Sequence, residues 1–126
     1  MSDVFSDFKA ALEAAAKTRR GAKAVAGHDE DFEVEVKGQP PIHVGFAGGK
    51  MIVNKGPSPR QEPLHFTRIE IDEASLRSIL AGKISPVDAM EAGKLFVRTR
   101  LYGGALITIL LRSAYDLARE KTLASI

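Results

Sequence analysis

The side chains that could bind metals or act as acids and bases do not fall into a catalytic pattern. The three histidines, His28, His43 and His65, are not spaced as paired metal ligands, and an HExxH motif is absent. The chain has no cysteine, which excludes a disulfide framework, a thiol nucleophile and a thiolate metal site. No serine lies in a GxSxG motif, and no histidine and acid are spaced as in a nucleophilic enzyme. The sequence therefore predicts a protein that is not an enzyme and needs no metal or cofactor.

Two short segments have both a chemical and a plain structural interpretation. Residues 28–31, His-Asp-Glu-Asp, carry ligands that a divalent ion accepts, but we expect a charged loop that leads into a strand. Residues 45–50, Gly-Phe-Ala-Gly-Gly-Lys, have the composition of a phosphate-binding loop. Their spacing departs from GxxxxGK[ST], and they stand between two strands rather than ahead of a helix. We therefore expect a hairpin at 45–50.

A cluster of basic residues near the amino terminus also has two interpretations. Its members are Lys17, Arg19, Arg20 and Lys23. At the carboxyl end of a first helix these side chains would be favourable beside the negative end of the helix dipole, so a solvated helix terminus is the simpler interpretation. The sharper alternative is contact with anionic lipid head groups.

The composition is that of an ordinary soluble domain. The chain has 126 residues, of which 44% are hydrophobic and 27% charged, so one domain can bury a core. Its net charge of +2 is too small to indicate nucleic acid as a partner. The amino terminus has no apolar secretory segment, and the uncharged residues 101–111 are about half of the roughly 20 needed to cross a bilayer. We expect a single cytoplasmic domain over residues 1–126.

Alternating apolar and polar residues predict five strands. Residues 32–37, Phe-Glu-Val-Glu-Val-Lys, alternate without exception, as in a strand with one buried face. Gly48 and Gly49 supply the positive φ angles of a tight hairpin. The other strands are expected at residues 42–46, 51–53, 66–71 and 95–100.

The polar residues around these strands are expected on the outer face of the sheet or in a surface loop. His43 alternates with apolar neighbours and so points to the polar face of its strand. The proline-rich residues 55–63 predict a mobile surface loop without a pattern of its own. Four acids are expected to be solvated on the outer face: Glu33, Glu35, Glu70 and Asp72.

Helical spacing and capping residues predict the helices. A first helix, capped by Ser2 or Asp3, is ended or interrupted at residues 19–21, and a short helical turn follows at 22–26. Asp72 caps a helix over residues 73–81, and the last helix spans 104–121. In the first half of that last helix, residues 106–111 are apolar on most of the circumference. Such a helix lies between the sheet and other helices, borders an apolar cavity, or meets a second chain.

Residues 76–97, LRSILAGKISPVDAMEAGKLFV, have the most informative order of elements. Gly82 can end one helix, Ser85 and Pro86 can start a second, and Gly93 can end it before a strand. The pattern "L..IL.GK.SP..A...GKL.V" resembles the lipid-binding module of the sterol carrier protein type 2 family. The resemblance extends over residues 32–117.

This resemblance implies an α+β fold: a five-stranded mixed, mainly antiparallel sheet covered on one face by helices. It also implies a tunnel between sheet and helices for fatty acids, acyl thioesters or sterol-like lipids, with no catalytic residue. The chain departs from the family pattern at residues 97–104, where Arg98 and Arg100 either hold a ligand head group or face solvent. The residues expected to contact the ligand are Phe46, Phe66, Ile79, Leu80, Met90, Phe96, Leu106, Ile109 and Leu110.

The predicted function is thus non-catalytic binding or transfer of a long apolar ligand. The alternative is a dimerisation or accessory interaction module of the same fold that holds no ligand. A lipid or other apolar small molecule is the expected partner, and both a homodimer and transient contact with a membrane surface are compatible with the sequence.

Overall fold

A mixed sheet forms one layer of the fold. The computed structural model describes residues 3–61, 66–98 and 103–124. The strands are β1 Glu30–Val36, β2 Ile42–Ala47, β3 Lys50–Lys55, β4 Phe66–Ile71 and β5 Leu95–Arg98. They lie in the order β3-β2-β1-β4-β5, with β1 and β4 parallel and the other neighbouring pairs antiparallel. The predicted α+β fold with a mixed five-stranded sheet is confirmed.

Helices form the second layer, on one face of the sheet. They are α1 Val4–Ala16, α2 Arg19–Ala26, α3 Glu73–Leu80, α4 Pro86–Glu91 and α5 Gly103–Ala124. In α1 the buried residues Val4, Phe8 and Leu12 recur four apart, so they share the buried face of the helix. Within the described residues, no helix combines the length and the apolar character needed to cross a bilayer.

The helix starts follow the caps that the sequence contains. Asp3 and Asp72 each accept a hydrogen bond from a backbone N–H three residues later, as do Thr18 and Ser85. The hydrogen bonds that Asp72 accepts from Ser75 lower the pKa of its carboxyl. Observed and predicted bounds differ mainly at strand ends, and residues 99–100 of the predicted fifth strand lie outside the described residues.

The start of α2 corrects one prediction. α1 ends at Ala16, and Thr18 then caps a second helix that begins at Arg19, because its hydroxyl oxygen accepts from the N–H of Gly21. The sequence predicts the break in the first helix, but it places Arg19 and Arg20 at the negative end of that helix. Arg19 and Arg20 instead occupy the first turn of α2, where positive charge is unfavourable.

The outer face of the sheet corrects two further predictions. Asp31, Glu33 and His43 are buried there beneath Ser58, which belongs to the loop at residues 56–61. The backbone N–H of Ser58 donates to Glu33 Oε1 at 3.0 Å. Glu33 is therefore not solvated, and this part of the proline-rich loop is held against the sheet. Asp72 is a helix cap rather than a strand residue, whereas Glu35 and Glu70 form ion pairs with Arg68 and Arg98.

Asp31 is the centre of this buried network. Its Oδ2 lies 2.7 Å from His43 Nε2 and 3.0 Å from the Ser58 hydroxyl. Its Oδ1 accepts from Arg60 Nη2 at 2.9 Å and from Arg60 Nε at 3.2 Å. Because an ionised carboxylate can only accept, His43 Nε2 carries the proton in this contact. One carboxylate thus joins β1, β2 and the loop.

We predict that Asp31→Ala destabilises the protein by about 3 kcal/mol, because it leaves the buried donor on His43 without its acceptor and removes a carboxylate that pairs with Arg60. Urea denaturation measures the loss. The control is Asp116→Ala, which removes an exposed partner of Arg112 and should change stability by no more than about 0.5 kcal/mol. Equal effects of the two substitutions would show that the network contributes no more than a surface pair.

Two glycines after helices provide a matched stability test. Gly82 has a φ angle of +74° and Gly93 one of +71°. A Cβ atom added to Gly82 would lie 2.8 Å from the backbone nitrogen of Arg119. A Cβ atom added to Gly93 would have no neighbouring atom within 4 Å. We expect Gly93→Ala to cost roughly 1–2 kcal/mol for the left-handed backbone. Gly82→Ala should cost about 1–3 kcal/mol more because it also separates α5 from the end of α3. Denaturation midpoints compare the two, and an equal loss would contradict the close approach of α5.

Candidate functional site

The space between the sheet and the helices is the most apolar region of the molecule. Alternate residues of the strands point into it, because the pleat of a strand sends neighbouring side chains to opposite faces. The rings of Phe32 and Phe46 meet edge to face there, 5.5 Å apart between centroids and 88° between planes. The largest fully buried side chains are Phe8, Phe32, Phe46, Leu12, Ile42, Ile69, Leu76, Ile79, Leu106, Ile107, Leu110 and Val34.

Helix α5 is enclosed on several sides, which explains why its first half is apolar around most of its circumference. It packs against α1, α2, α3 and α4 as well as β4. Leu106, Ile107, Leu110 and Leu111 are all buried, although they do not share one helix face. Of the three arrangements that the sequence left open, the structure shows α5 packed between the sheet and other helices.

Seven of the nine predicted ligand residues lie in or against this interior. Phe46, Ile79, Leu106 and Leu110 are each at most 1% exposed. Leu80, Met90 and Ile109 are partly buried and pack against the same cluster. These seven side chains come from β2, α3, α4 and α5, so any molecule held between the two layers would contact several elements at once.

The other two predicted residues, Phe66 and Phe96, lie elsewhere. Phe66 is paired with Asp31 and Phe96 with Glu70 in the sheet register, so both rings are on the outer face, away from the helices. Phe96 is 50% exposed. The period of the strands already separates Phe96 from Leu95 and Val97, but it does not say which side the helices cover.

The arginines expected near a ligand head group are not at the interior. Arg98 is exposed on the outer face, where its Nε donates to Glu70 Oε1 at 2.9 Å. Arg100 lies outside the described residues. For Arg98 the solvent-facing alternative is therefore correct.

Sequence reasoning missed several residues of the interior. Phe8 and Leu12 of α1, Phe32 of β1 and Leu76 of α3 are at most 1% exposed and belong to the same cluster. Their helical or alternating spacing had placed them on buried faces. What spacing could not supply was that these faces meet the ones that carry Phe46 and Leu110.

Residues that the structure describes also line hollows at the surface. One hollow of about 490 Å³ lies on the outer face beside Phe96, Glu35 and Glu70. Another of about 320 Å³ lies at the start of α1 beside Phe5 and Lys55. Among the residues that the structure describes, no group of three or more histidines and acids is placed to hold a metal ion.

Solved structures of sterol carrier proteins share this architecture. The sterol carrier protein domain 2 of Helicoverpa armigera is similar with a TM-score of 0.64 and 18% identity, over 90% of this chain and 88% of that one. A crystal structure of sterol carrier protein 2 gives a TM-score of 0.61 and 16% identity, over 94% of this chain and 98% of the other. The ubiquinone synthesis protein UbiJ-SCP2 gives a TM-score of 0.61 and 17% identity, over 91% of this chain and 95% of the other.

The chain therefore has the sterol carrier protein 2 fold, and the resemblance read from residues 76–97 is confirmed at the level of the fold. No protein-family model matches the sequence, and no curated protein matches it either.

Two neighbouring residues of α5 test the packing of the interior. Leu110 is fully buried, whereas Ile109 is only partly buried on the side of the helical hollow. We predict that Leu110→Ala costs about 2–5 kcal/mol in urea denaturation, because it opens a cavity in close-packed surroundings. Ile109→Ala should cost about 1 kcal/mol. The reverse order of the two losses would place the helix phase one position away from that described.

Proposed function

We propose that the space between the sheet and the helices binds a long apolar molecule and carries it without catalysis. The ligand class is a fatty acid, an acyl thioester or a sterol-like lipid. The observation that supports this proposal most is the shared fold: sterol carrier proteins resemble the chain over nearly the whole length of both. Fold alone does not decide function, so the lining of the site must support it too.

The lining fits hydrocarbon. Phe46, Ile79, Leu106 and Leu110 offer no charge, and apolar surface removed from water contributes about 0.8 kcal/mol per methylene. About ten buried methylenes would therefore contribute roughly 8 kcal/mol before ordering costs are subtracted. Micromolar affinity corresponds to about the same value, so an acyl chain needs no ionic contact to be held.

A ligand must open the interior to enter it. The described side chains that would contact hydrocarbon belong to one packed cluster, so a ligand would have to displace some of them from one another. The cost of that opening lowers the affinity below what the buried area alone suggests. We expect α5 to move, because its side chains form one wall of the proposed site and Ile79 of α3 forms another.

The close packing of the described interior side chains also supports the alternative function. If the core between the layers never opens, the fold serves as an interaction module that holds no ligand. Native mass spectrometry of the purified protein separates the two, since a carrier should retain a bound lipid in a fraction of molecules. An empty monomer that acquires no mass from added fatty acid would favour the module, as would a dimer with the same empty interior.

We predict one site per chain for an environment-sensitive fatty-acid probe, with displacement that improves from eight-carbon to sixteen-carbon acids. Longer chains bury more methylenes, so their affinity should rise until the available length is filled. Fluorescence displacement gives the series. If the affinity does not depend on the length of the acid, the result would argue against a hydrocarbon site.

Variants of α5 locate that site. Leu110→Ala enlarges the interior and should shift the optimum towards longer or bulkier acids, because its side chain faces the space between the layers. Ile109→Ala, the control about 100° away around the helix, is only partly buried and should shift the optimum less. The same displacement series, measured on both variants, gives the optimal acid for each. A shift of that optimum in Ile109→Ala alone would place the ligand outside the interior.

A further inference from the structure

The outer face of the sheet carries a hollow where β1 and β4 end and β5 begins. Its volume of about 490 Å³ is in the range of small-molecule sites. Ile71, the last residue of β4, pairs with Val36 of β1 on one side and with Leu95 of β5 on the other. Three neighbouring strands therefore build the hollow, on the side of the sheet that the helices do not cover.

One row of the lining places two acids beside an exposed aromatic ring. The register pairs Glu35 with Glu70 and Glu70 with Phe96, so the three side chains lie side by side on the outer face. Arg68 pairs with Glu35 at 3.2 Å, and Arg98 pairs with Glu70 at 2.9 Å. Both acids are thus partly neutralised by arginines, while the ring of Phe96 is 50% exposed to a ligand in the hollow.

Two lysines form the next row of the lining, on either side of Asp72. Lys37 follows the last residue of β1, and Lys94 precedes the first residue of β5. In the described part of the chain, neither lysine forms an ion pair. Hydrogen bonds from Ser75 lower the pKa of Asp72, and the charge of Lys94 lowers it further. Two ammonium groups thus share one carboxylate that already caps a helix, so this row has an excess of positive charge.

An aromatic ring beside two ammonium groups suits a small organic anion that has a flat ring of its own. The ring of such a ligand gains contact by stacking on Phe96. Its anionic group lies within reach of Lys37 and Lys94, whose charges it compensates. An anion without a ring would leave Phe96 uncovered, and a neutral ring would leave the lysines without a partner.

The acids of the lining favour a carboxylate over a phosphate. Glu35, Glu70 and Asp72 border the same hollow and repel each negative charge that a ligand brings. A carboxylate brings one charge, which matches the excess of the lysine row. A phosphate monoester brings about 1.5 to 2 at neutral pH, more than that row can compensate.

We propose that the hollow bounded by Lys37, Lys94 and Phe96, here called the outer-face hollow, binds a small aromatic carboxylate. The carboxylate lies between the two ammonium groups, and the aromatic ring of the ligand lies on the ring of Phe96. The outer-face hollow is on the opposite side of the sheet from the interior between sheet and helices, so it binds its ligand independently of an apolar molecule held there.

Nuclear magnetic resonance with 2-naphthoate as the probe tests the site on the unaltered chain. The backbone amide signals of Lys37, Lys94 and Phe96 should shift with one dissociation constant, near a millimolar for a probe of this size. The signals of Leu106 and Leu110, which lie in the interior, should stay in place. The neutral analogue 2-naphthalenemethanol should bind several-fold more weakly, and acetate, which has no ring, should leave all these signals unchanged.

Substitutions of Phe96 test the ring contact. Phe96→Ala removes the stacking surface and should weaken 2-naphthoate binding about tenfold, whereas Phe96→Trp keeps an aromatic surface and should bind at least as tightly as the unaltered chain. The matched control is Ile52→Ala, which should leave the dissociation constant unchanged. Ile52 is 51% exposed on the same face, because its partner Gly45 pairs with Asp31, but it lies on β3 at the other edge of the sheet.

Charge variants test the lysines. Each exposed ammonium–carboxylate contact accounts for roughly two- to threefold in affinity, so Lys37→Gln with Lys94→Gln should weaken 2-naphthoate binding about fivefold. Binding of the neutral analogue should not change in this variant, because the alcohol has no charge to lose. The control pair, Lys50→Gln with Lys83→Gln, removes the same charge from exposed positions outside the outer-face hollow and should change 2-naphthoate binding by less than about twofold.

Four outcomes would overturn the proposal. They are no shift of the hollow signals at several millimolar 2-naphthoate, shifts confined to the interior signals, equal losses in the hollow variants and their controls, and equally tight binding of inorganic phosphate at the same signals. Fatty-acid probe binding, measured on the same variants, does not depend on these exposed side chains. A failure of the outer-face hollow is therefore distinguishable from a failure of the proposed carrier function.

Discussion

The alternation of apolar and charged residues along β1 is the constraint on which both layers of the structure depend. Phe32, Val34 and Val36 face the helices, while Asp31 before them and Glu33 among them point to the other side. The strand is paired on both edges. A shift of one residue in register would send carboxylates into the apolar interior and phenylalanine towards the loop. The helices pack on the apolar face of the sheet. The loop is held on the polar face by hydrogen bonds, in a network that includes His43 and Ser58.

The sequence predicts those features whose cause is local. Caps at Asp72 and Ser85 fix where helices begin, and glycines with positive φ fix where they end, so the order of elements and the fold class follow from neighbouring residues. The strand period also assigns His43 to the polar face correctly. Local patterns fail where the cause is a distant partner: Glu33 reads as solvated because the loop residue that covers it, Ser58, lies 25 positions away.

In the candidate site, too, some placements follow from local sequence and others depend on distant partners. Spacing identifies Ile79 and Leu110 as buried, because each belongs to an amphipathic or wholly apolar helix. Spacing separates Phe96 from Leu95 and Val97, but it cannot show which of the two sides the helices cover. The placement of Phe66 and Phe96 depends on sheet register and on which face of the sheet the helices pack against, neither of which is encoded within a short window.

The parallel pairing of β1 with β4 has a consequence for the order in which the protein can fold. Its partners, such as Asp31 and Phe66, are separated by the whole β2–β3 hairpin, so one edge of β1 stays unpaired during synthesis until β4 has emerged. An unpaired edge is a template for association with other nascent chains. The carboxylates of Glu33 and Glu35, before Arg68 arrives to pair with them, place negative charge along that edge. Two like strands side by side would repel each other, so these acids protect the growing chain before they take part in the finished sheet.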